Sequence, residues 1–215
     1  MSDLLGRSAA AVMLVALALV AAVLGGYLFA GLIAVAACIM LFEWRRIVDG
    51  WGIGWQVAGF VYALVPALAV LWIRDRYQVE GNPAGLELLV WVFIVTWSVD
   101  IGAYFAGRTI GGPKLAPAIS PNKTWAGLIG GVIAAAIGGA VWSQTVALPS
   151  ATYWLAPLFA VAAQGGDLFE SWLKRRAGIK DSGTWLPGHG GALDRLDGLV
   201  VVASLTALVS LGGLL

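Results

Sequence analysis

SAAAVMLVALALVAAVLGGYLFAGLIAVAACIMLF, residues 8–42, carries no charge and lies between Arg7 and Glu43. As one α-helix it would be roughly 50 Å long at ~1.5 Å per residue, far more than a hydrocarbon core of about 30 Å can hold. The stretch therefore reads as two helices that turn near Gly25-Gly26. Its apolar residues are continuous rather than alternating, and backbone that crosses lipid must satisfy its own hydrogen bonds, so spanning strands are unattractive. The apolar character runs on to Phe42 with no convincing cleavage site, which favours a retained first helix over a signal peptide.

The remainder of the 215 residues continues in this manner. Hydrophobic residues make up 60% of the chain and charged ones 12%, with a mean hydropathy of +0.87. Soluble globules carry about a quarter charged residues, so the expected class is an all-α, polytopic integral membrane bundle. A third apolar run covers about Trp55 to Ile73, and a fourth about Leu86 to Ala106 with Asp100 inside it. The uncharged stretch from Thr124 to Gly166 is again too long for one crossing, and SQTVALPSAT (Ser143–Thr152) supplies turn chemistry to divide it. Leu199 to Leu215 makes a seventh span. No repeat or low-complexity linker interrupts the series, which reads as one domain over 1–215. Cys38, the one cysteine, is expected to be a small buried hydrophobe with neither a disulfide nor a metal partner.

Seven spans distribute the basic residues unevenly. Arg7, Arg45, Arg46, Arg108, Lys114, Lys123, Lys174, Arg175, Arg176, Lys180 and Arg195 fall on one side, against Arg74 and Arg76 on the other. The positive-inside rule makes the rich side cytoplasmic. Two polar segments then share that face: GRTIGGPKLAPAISPNKT (Gly107–Thr124) and ESWLKRRAGIKDSGTWLPGHGG (Glu170–Gly191). Asn122 heads a glycosylation sequon, but on the cytoplasmic side that reading fails.

These segments hold the chemistry. If the sixth helix continues through GGDLFESWLKRR, then Asp167, Ser171 and Lys174 at i, i+4 and i+7 line one face. Asp194 and Asp197, three residues apart, would stand side by side on the first turn of the last helix, where mutual repulsion calls for a cation or a proton. Three aspartates on neighbouring helix ends suggest a hard, oxygen-ligated divalent ion. Mg²⁺ is the usual choice where phosphate completes the shell, while one histidine and one distant cysteine argue against zinc. Headgroup attraction explains many basic loops, yet it does not require aspartates interleaved with lysines and arginines. Asp100 has two readings, as a partner for Arg108 or as a site residue. His189, inside PGHGG, reads as a general base or as a residue that shapes or hydrogen-bonds the loop, and the glycines beside it would let backbone amides approach phosphate. No P-loop or dinucleotide fingerprint is present.

The run SWLKRRAGIKDSGTWLPGHGGALDRLD (Ser171–Asp197) resembles the signature of the phosphatidate cytidylyltransferases, the CDP-diacylglycerol synthases. The matching positions are Ser171, Lys174-Arg175, Lys180-Asp181, Pro187, His189-Gly190-Gly191 and Asp194-Arg195-x-Asp197. GDLFES, DIGAYFAGRTIGG and KLAPAISPNKTWAG upstream resemble further family blocks, and Glu43-Trp44 is an additional match. The resemblance covers the C-terminal half in detail, with the signature region at 164–198. Two departures stand out: Ala126 occupies a position where the family usually has an acid, and the chain is shorter than usual bacterial members by a span or two.

The resemblance implies transfer of CMP from CTP to phosphatidate in the bilayer, giving CDP-diacylglycerol and pyrophosphate for phospholipid synthesis at a bacterial inner membrane. It implies Mg²⁺ on Asp167, Asp194 and Asp197, with room for a second, monovalent cation. Lys174, Arg175, Lys180, Asp181, His189 and Arg195 become the catalytic group. Asp100, Lys114, Ser120, Lys123, Thr124 and Ser171 become the substrate-binding group. A homodimer is compatible with this, and no nucleic acid partner is expected. Rival readings are a related enzyme, a CDP-archaeol synthase or a CTP-dependent polyprenol kinase, and an ion-coupled transporter using Asp100 and Asp167. The transporter is disfavoured because the charges gather at one face rather than at the midplane.

Overall fold

A computed structural model describes residues 13, 15–76, 84–183 and 190–215. Within them the chain forms α1 (Val15–Leu24), α2 (Gly26–Ile47), α3 (Ile53–Asp75), α4 (Ala84–Thr109), β1 (Lys114–Ala116), β2 (Ser120–Thr124), α5 (Trp125–Thr145), α6 (Ala151–Arg176) and α7 (Leu193–Leu211). The expected all-α membrane bundle is what the chain folds into. Helices α2 to α5 are long and apolar enough to cross a bilayer by length and composition. Helix α6, at 26 residues, and α7, at 19, have the length as well, but each carries charged residues at one end.

The expected break between the first two helices falls at Gly25, whose φ of 65° is a left-handed conformation that favours glycine. Arg74, at the end of α3, closes the exposed carbonyls of α1. Its Nε donates to Ala22 O at 2.6 Å and its Nη2 to Val23 O at 3.0 Å.

Helix α4 is central, packing on α3, α5, α6 and α7. Its Trp91, Val92 and Val95 are wholly buried against α6 residues such as Ala156 and Phe159. In lipid, helices associate through close van der Waals fit more than through exclusion of water, so small residues gather at the contacts. The α4–α5 seam illustrates this: a methyl group added at Gly102 would lie 2.5 Å from Gly130 O and from Ala134 Cβ. At Gly131 it would lie 2.8 Å from Val99 O.

Two expectations are corrected. The segment 107–124 is not a plain loop, because Lys114 pairs with Thr124 and Ala116 with Ser120 in an antiparallel hairpin. Cys38 is exposed on α2 rather than buried. Burial is a poor expectation for an apolar residue here, since a side chain facing lipid is as well solvated as one facing the bundle.

The helices alternate direction so that two distinct ends result. One carries Gly25, Arg74 and the Trp142 Nε1 to Glu87 O bond at 2.8 Å, which ties the end of α5 to the start of α4. The other gathers the end of α2, the hairpin, the end of α6 and the start of α7.

Candidate active site

Helix α6 does continue through Arg176, so Asp167, Ser171 and Lys174 follow one another along it. Ser171 Oγ lies 3.4 Å from Asp167 Oδ1. The hairpin delivers Lys123 to the same place: its Nζ is 2.5 Å from Asp167 Oδ2 and donates to Gln164 Oε1 at 3.0 Å. Asp197 on α7 and Asp100 on α4 face this pair, and the carboxylates of Asp100, Asp167 and Asp197 lie within Coulombic reach of one another and of Lys123. Asp197 Oδ1 also accepts the Gly198 amide at 2.8 Å. Arg108, the alternative partner expected for Asp100, donates to Tyr104 Oη at 2.9 Å.

A second cluster adjoins the first. Lys174 Nζ sits 2.5 Å from Asp194 Oδ1 and 3.4 Å from Glu170 Oε1. The other oxygen of Asp194 accepts from Ser182 N at 3.0 Å, Ser182 Oγ at 3.0 Å and Gly191 N at 2.8 Å. Asp194 and Asp197 thus face different neighbours: one looks to the end of α6 and the segment after it, the other to α4 and the hairpin. Residues three apart on a helix point about 60° from each other, which is enough for tertiary partners to divide them. Glu170 feels the charge of both.

The remaining expected residues are spread around these clusters. Lys114 is exposed on β1, and Ser120 is half-buried on β2. Thr124 is 5% exposed and accepts the Gly127 amide at 3.0 Å, so it caps α5. Arg175 is exposed, with its Nε donating to Ile119 O at 3.2 Å, which ties α6 to the hairpin turn. Lys180 and Asp181 are exposed beyond α6, and Arg195 is exposed on the first turn of α7, where its charge reaches Asp100. His189 and Pro187 lie outside the described residues. The Gly191 amide goes to Asp194, not to an open anion position.

Sequence reasoning gave no site role to three residues that the structure places at this end. Glu43 is fully buried beside Ser182, and its signal was a carboxylate at the end of an apolar helix, a functional candidate by default. Glu170 precedes Lys174 by one turn. Arg176 stacks over Trp51, Trp55 and Trp172 at 4.8, 5.9 and 5.5 Å, an aromatic and cationic cluster of the type that marks a membrane interface.

The donor set is carboxylate oxygen throughout, which suits Mg²⁺ and not a soft metal. Among the described residues no group of three or more acidic, histidine or cysteine side chains is placed to hold a metal ion. Mg²⁺ does not require such a group, because it commonly keeps waters and substrate phosphates on one or two carboxylates. Lys123 and Lys174 supply the positive charge at Asp167 and Asp194.

Comparison with known proteins agrees with the geometry. The profile of the cytidylyltransferase family matches residues 51–211. A phosphatidate cytidylyltransferase of Brucella suis biovar 1 (strain 1330) is 47% identical over 187 residues, which are 85% of this chain and 63% of that protein. One from Rickettsia bellii (strain RML369-C) is 34% identical over 192 residues, covering 85% of this chain and 80% of its own length. One from Haemophilus influenzae is 42% identical over 144 residues, or 63% and 50% of the two chains. The chain thus spans about 63% of the length of the Brucella relatives it matches.

Proposed function

The chain belongs to the cytidylyltransferase family, and from that premise we propose that it transfers the cytidylyl group of CTP to phosphatidate, forming CDP-diacylglycerol and pyrophosphate. The observation that carries this reading is the interleaving of Lys123, Lys174 and Arg195 with Asp100, Asp167, Asp194 and Asp197 at one end of an apolar bundle. A lipid phosphate at the bilayer surface and a soluble nucleotide can both reach such an end. The lysine and arginine distribution supports a cytoplasmic position for that end, in keeping with a bacterial inner membrane.

In the proposed reaction an oxygen of the phosphatidate monoester attacks the α-phosphorus of CTP. The bond from that phosphorus to the α,β-bridging oxygen breaks, and pyrophosphate leaves with the electron pair. A phosphate monoester has its second pKa near ~6, so the nucleophile is largely a dianion at neutral pH and no residue need remove its proton. His189 accordingly takes a hydrogen-bonding or loop-shaping role, and Asp181 remains with the residues assigned to the transfer. The obstacle is the approach of one polyanion to another, and preorganised cations meet it. Lys174, Arg175, Lys180 and Arg195 are assigned to the phosphates. Lys114, Ser120, Lys123 and Ser171, with Asp100, are assigned to CTP or the lipid headgroup, with Thr124 holding the start of α5 behind them. Asp167 and Asp197 are the residues that would hold Mg²⁺, which when bound would neutralise phosphate charge and align the reacting oxygens, whereas Asp194, expected beside them, has its oxygens taken by Lys174, Ser182 and Gly191. The acyl chains stay in the bilayer.

The test is pyrophosphate release by the purified chain in mixed micelles, with CTP, phosphatidate and Mg²⁺ omitted in turn. Release that needs all three supports the reading. Release from a polyprenol or an archaeal diether lipid and none from phosphatidate, in protein that remains folded, would transfer the chain to a sister activity.

A further inference from the structure

We infer that Glu43 is a positioning residue of the transfer site, a buried carboxylate on α2 that fixes the first turn of α7 and, through Ser182, the side chain of Asp194. The inference rests on the transfer reading above, and Glu43 lies outside residues 51–211, the stretch matched by the family profile.

Helix α7 starts without a cap of its own. Its N-cap residue is Ala192, whose side chain has no acceptor, so the first amides need an oxygen from elsewhere. Glu43 provides it from about 150 residues away in sequence: Oε1 accepts Ala192 N at 3.0 Å and Oε2 accepts Leu193 N at 2.9 Å. Oε2 also accepts Ser182 Oγ at 2.9 Å. An anion at a helix N-terminus meets both free N–H groups and the positive end of the helix dipole. A carboxylate with 0% exposure is tolerable only when satisfied in this manner.

The surrounding backbone is shaped to admit it. A methyl group added at Gly191 would lie 2.5 Å from both Glu43 oxygens, and one at Gly183 would collide with Oε1. Gly183, after α6, and Gly191, before α7, are thus both close to the same carboxylate. Ser182 then relays the position onward, since its one hydroxyl proton is shared between Glu43 Oε2 and Asp194 Oδ2 while its amide donates to Asp194 Oδ2. Being wholly buried, Glu43 cannot touch substrate. Its effect passes to Asp194, Arg195 and Asp197 through the turn that carries them.

The experiment compares Glu43→Ala, Glu43→Gln and Ser182→Ala with the unaltered full chain in mixed micelles, by steady-state kinetics and by amide hydrogen exchange. Glu43→Ala is expected to lower kcat about 100-fold with KM for CTP changed less than about threefold, the split that marks lost alignment rather than lost binding. Exchange at Ala192 and Leu193 should accelerate at least ~10-fold while the hairpin at 114–124 keeps its protection. Glu43→Gln, which keeps one carbonyl acceptor, should fall between Glu43→Ala and the unaltered chain. A variant that combines Glu43→Ala with Ser182→Ala should lose less than the two single losses together, because both act through one relay. A kcat in Glu43→Ala within about twofold of the unaltered chain overturns the inference. So does accelerated exchange across all helices alike, which would make Glu43 a general structural residue. If the unaltered chain transfers nothing, the reaction reading falls, while the exchange comparison still decides whether Glu43 holds the start of α7.

Discussion

Two helix ends in this molecule are closed by a charged side chain from far along the chain, one at each end of the bundle. At the first, the Arg74 guanidinium covers the last carbonyls of α1 beside Gly25. At the second, the Glu43 carboxylate covers the first amides of α7 beside Gly191. Both obey the same electrostatics, cation to C-terminus and anion to N-terminus. They differ in what their partners do next. The carbonyls of Ala22 and Val23 lead nowhere further, whereas Ser182 and the first turn of α7 go on to hold Asp194, which holds Lys174, which meets Glu170. Such an end can be altered only by orphaning a second group, whereas the Arg74 end can lose its cap and leave only two carbonyls to be rehydrated.

The largest expected effects therefore belong to the shared network. Asp194→Asn keeps one oxygen for Ser182 and Gly191 but turns an amide NH₂ toward Lys174, leaving its ammonium group with only the longer contact to Glu170 at 3.4 Å. Transfer should fall at least about 10³-fold, roughly 4 kcal/mol of transition-state stabilisation, in protein that still migrates as a folded species. An Asp194→Asn enzyme with more than about a tenth of normal kcat would remove this acid from the centre of the site. Lys123→Met comes next. It frees Asp167 from its ion pair, removes one cation from the approach of two polyanions, and should cost about 10²-fold in kcat/KM for CTP, measured in the same pyrophosphate assay. An unchanged kcat/KM would make the Lys123–Asp167 pair purely structural.

The two ends also differ in how far they could be read from sequence. Two uncharged runs too long for one crossing, 8–42 and 124–166, were enough to separate α1 from α2 and α5 from α6, and apolar runs of single-crossing length placed α3 and α4, because a bilayer dictates length and continuity. The 3.6-residue period was enough to put Asp167, Ser171 and Lys174 on one side of α6. What escaped was every feature set by tertiary partners. Asp194 and Asp197 look equivalent in spacing, but α4 and the segment after α6 lie on different sides of α7 and draw them apart. Thr124 shares its segment with basic site candidates, yet its side chain is used to start α5. Glu43 was visible as an anomaly, a carboxylate closing an apolar helix, but its partners at Ser182, Ala192 and Leu193 are separated from it by most of the chain. The hairpin was hidden because SPNKT has no alternation to announce a strand, and its pairing depends on the turn at 117–119.

Arg74→Ala sharpens the comparison from the other end. Two charge-assisted hydrogen bonds vanish, and the chain should lose about 1.5–3 kcal/mol of stability, read as a lowered thermal midpoint in detergent. Transfer should stay within about twofold of the unaltered rate, because nothing beyond Ala22 and Val23 depends on that arginine. A tenfold loss of kcat in a folded Arg74→Ala protein would show that the two ends communicate through α3.

The smallest effect is expected at Ala126, where the resemblance anticipates an acid. Ala126 sits in the first turn of α5, which has Thr124 as its cap and no acidic residue among its opening positions. The first amides of this helix carry positive partial charge, and a carboxylate there is worth about 0.3–1 kcal/mol. Ala126→Glu should therefore raise the thermal midpoint slightly, and the gain should shrink in high salt as the new charge is screened. It should leave kcat within about twofold, because Thr124 already fixes the start of α5 and Lys123 is already paired with Asp167. If kcat instead changed several-fold in either direction with the midpoint unmoved, position 126 would count with Lys123 and Asp167 as part of the charged end rather than as part of the helix that supports it.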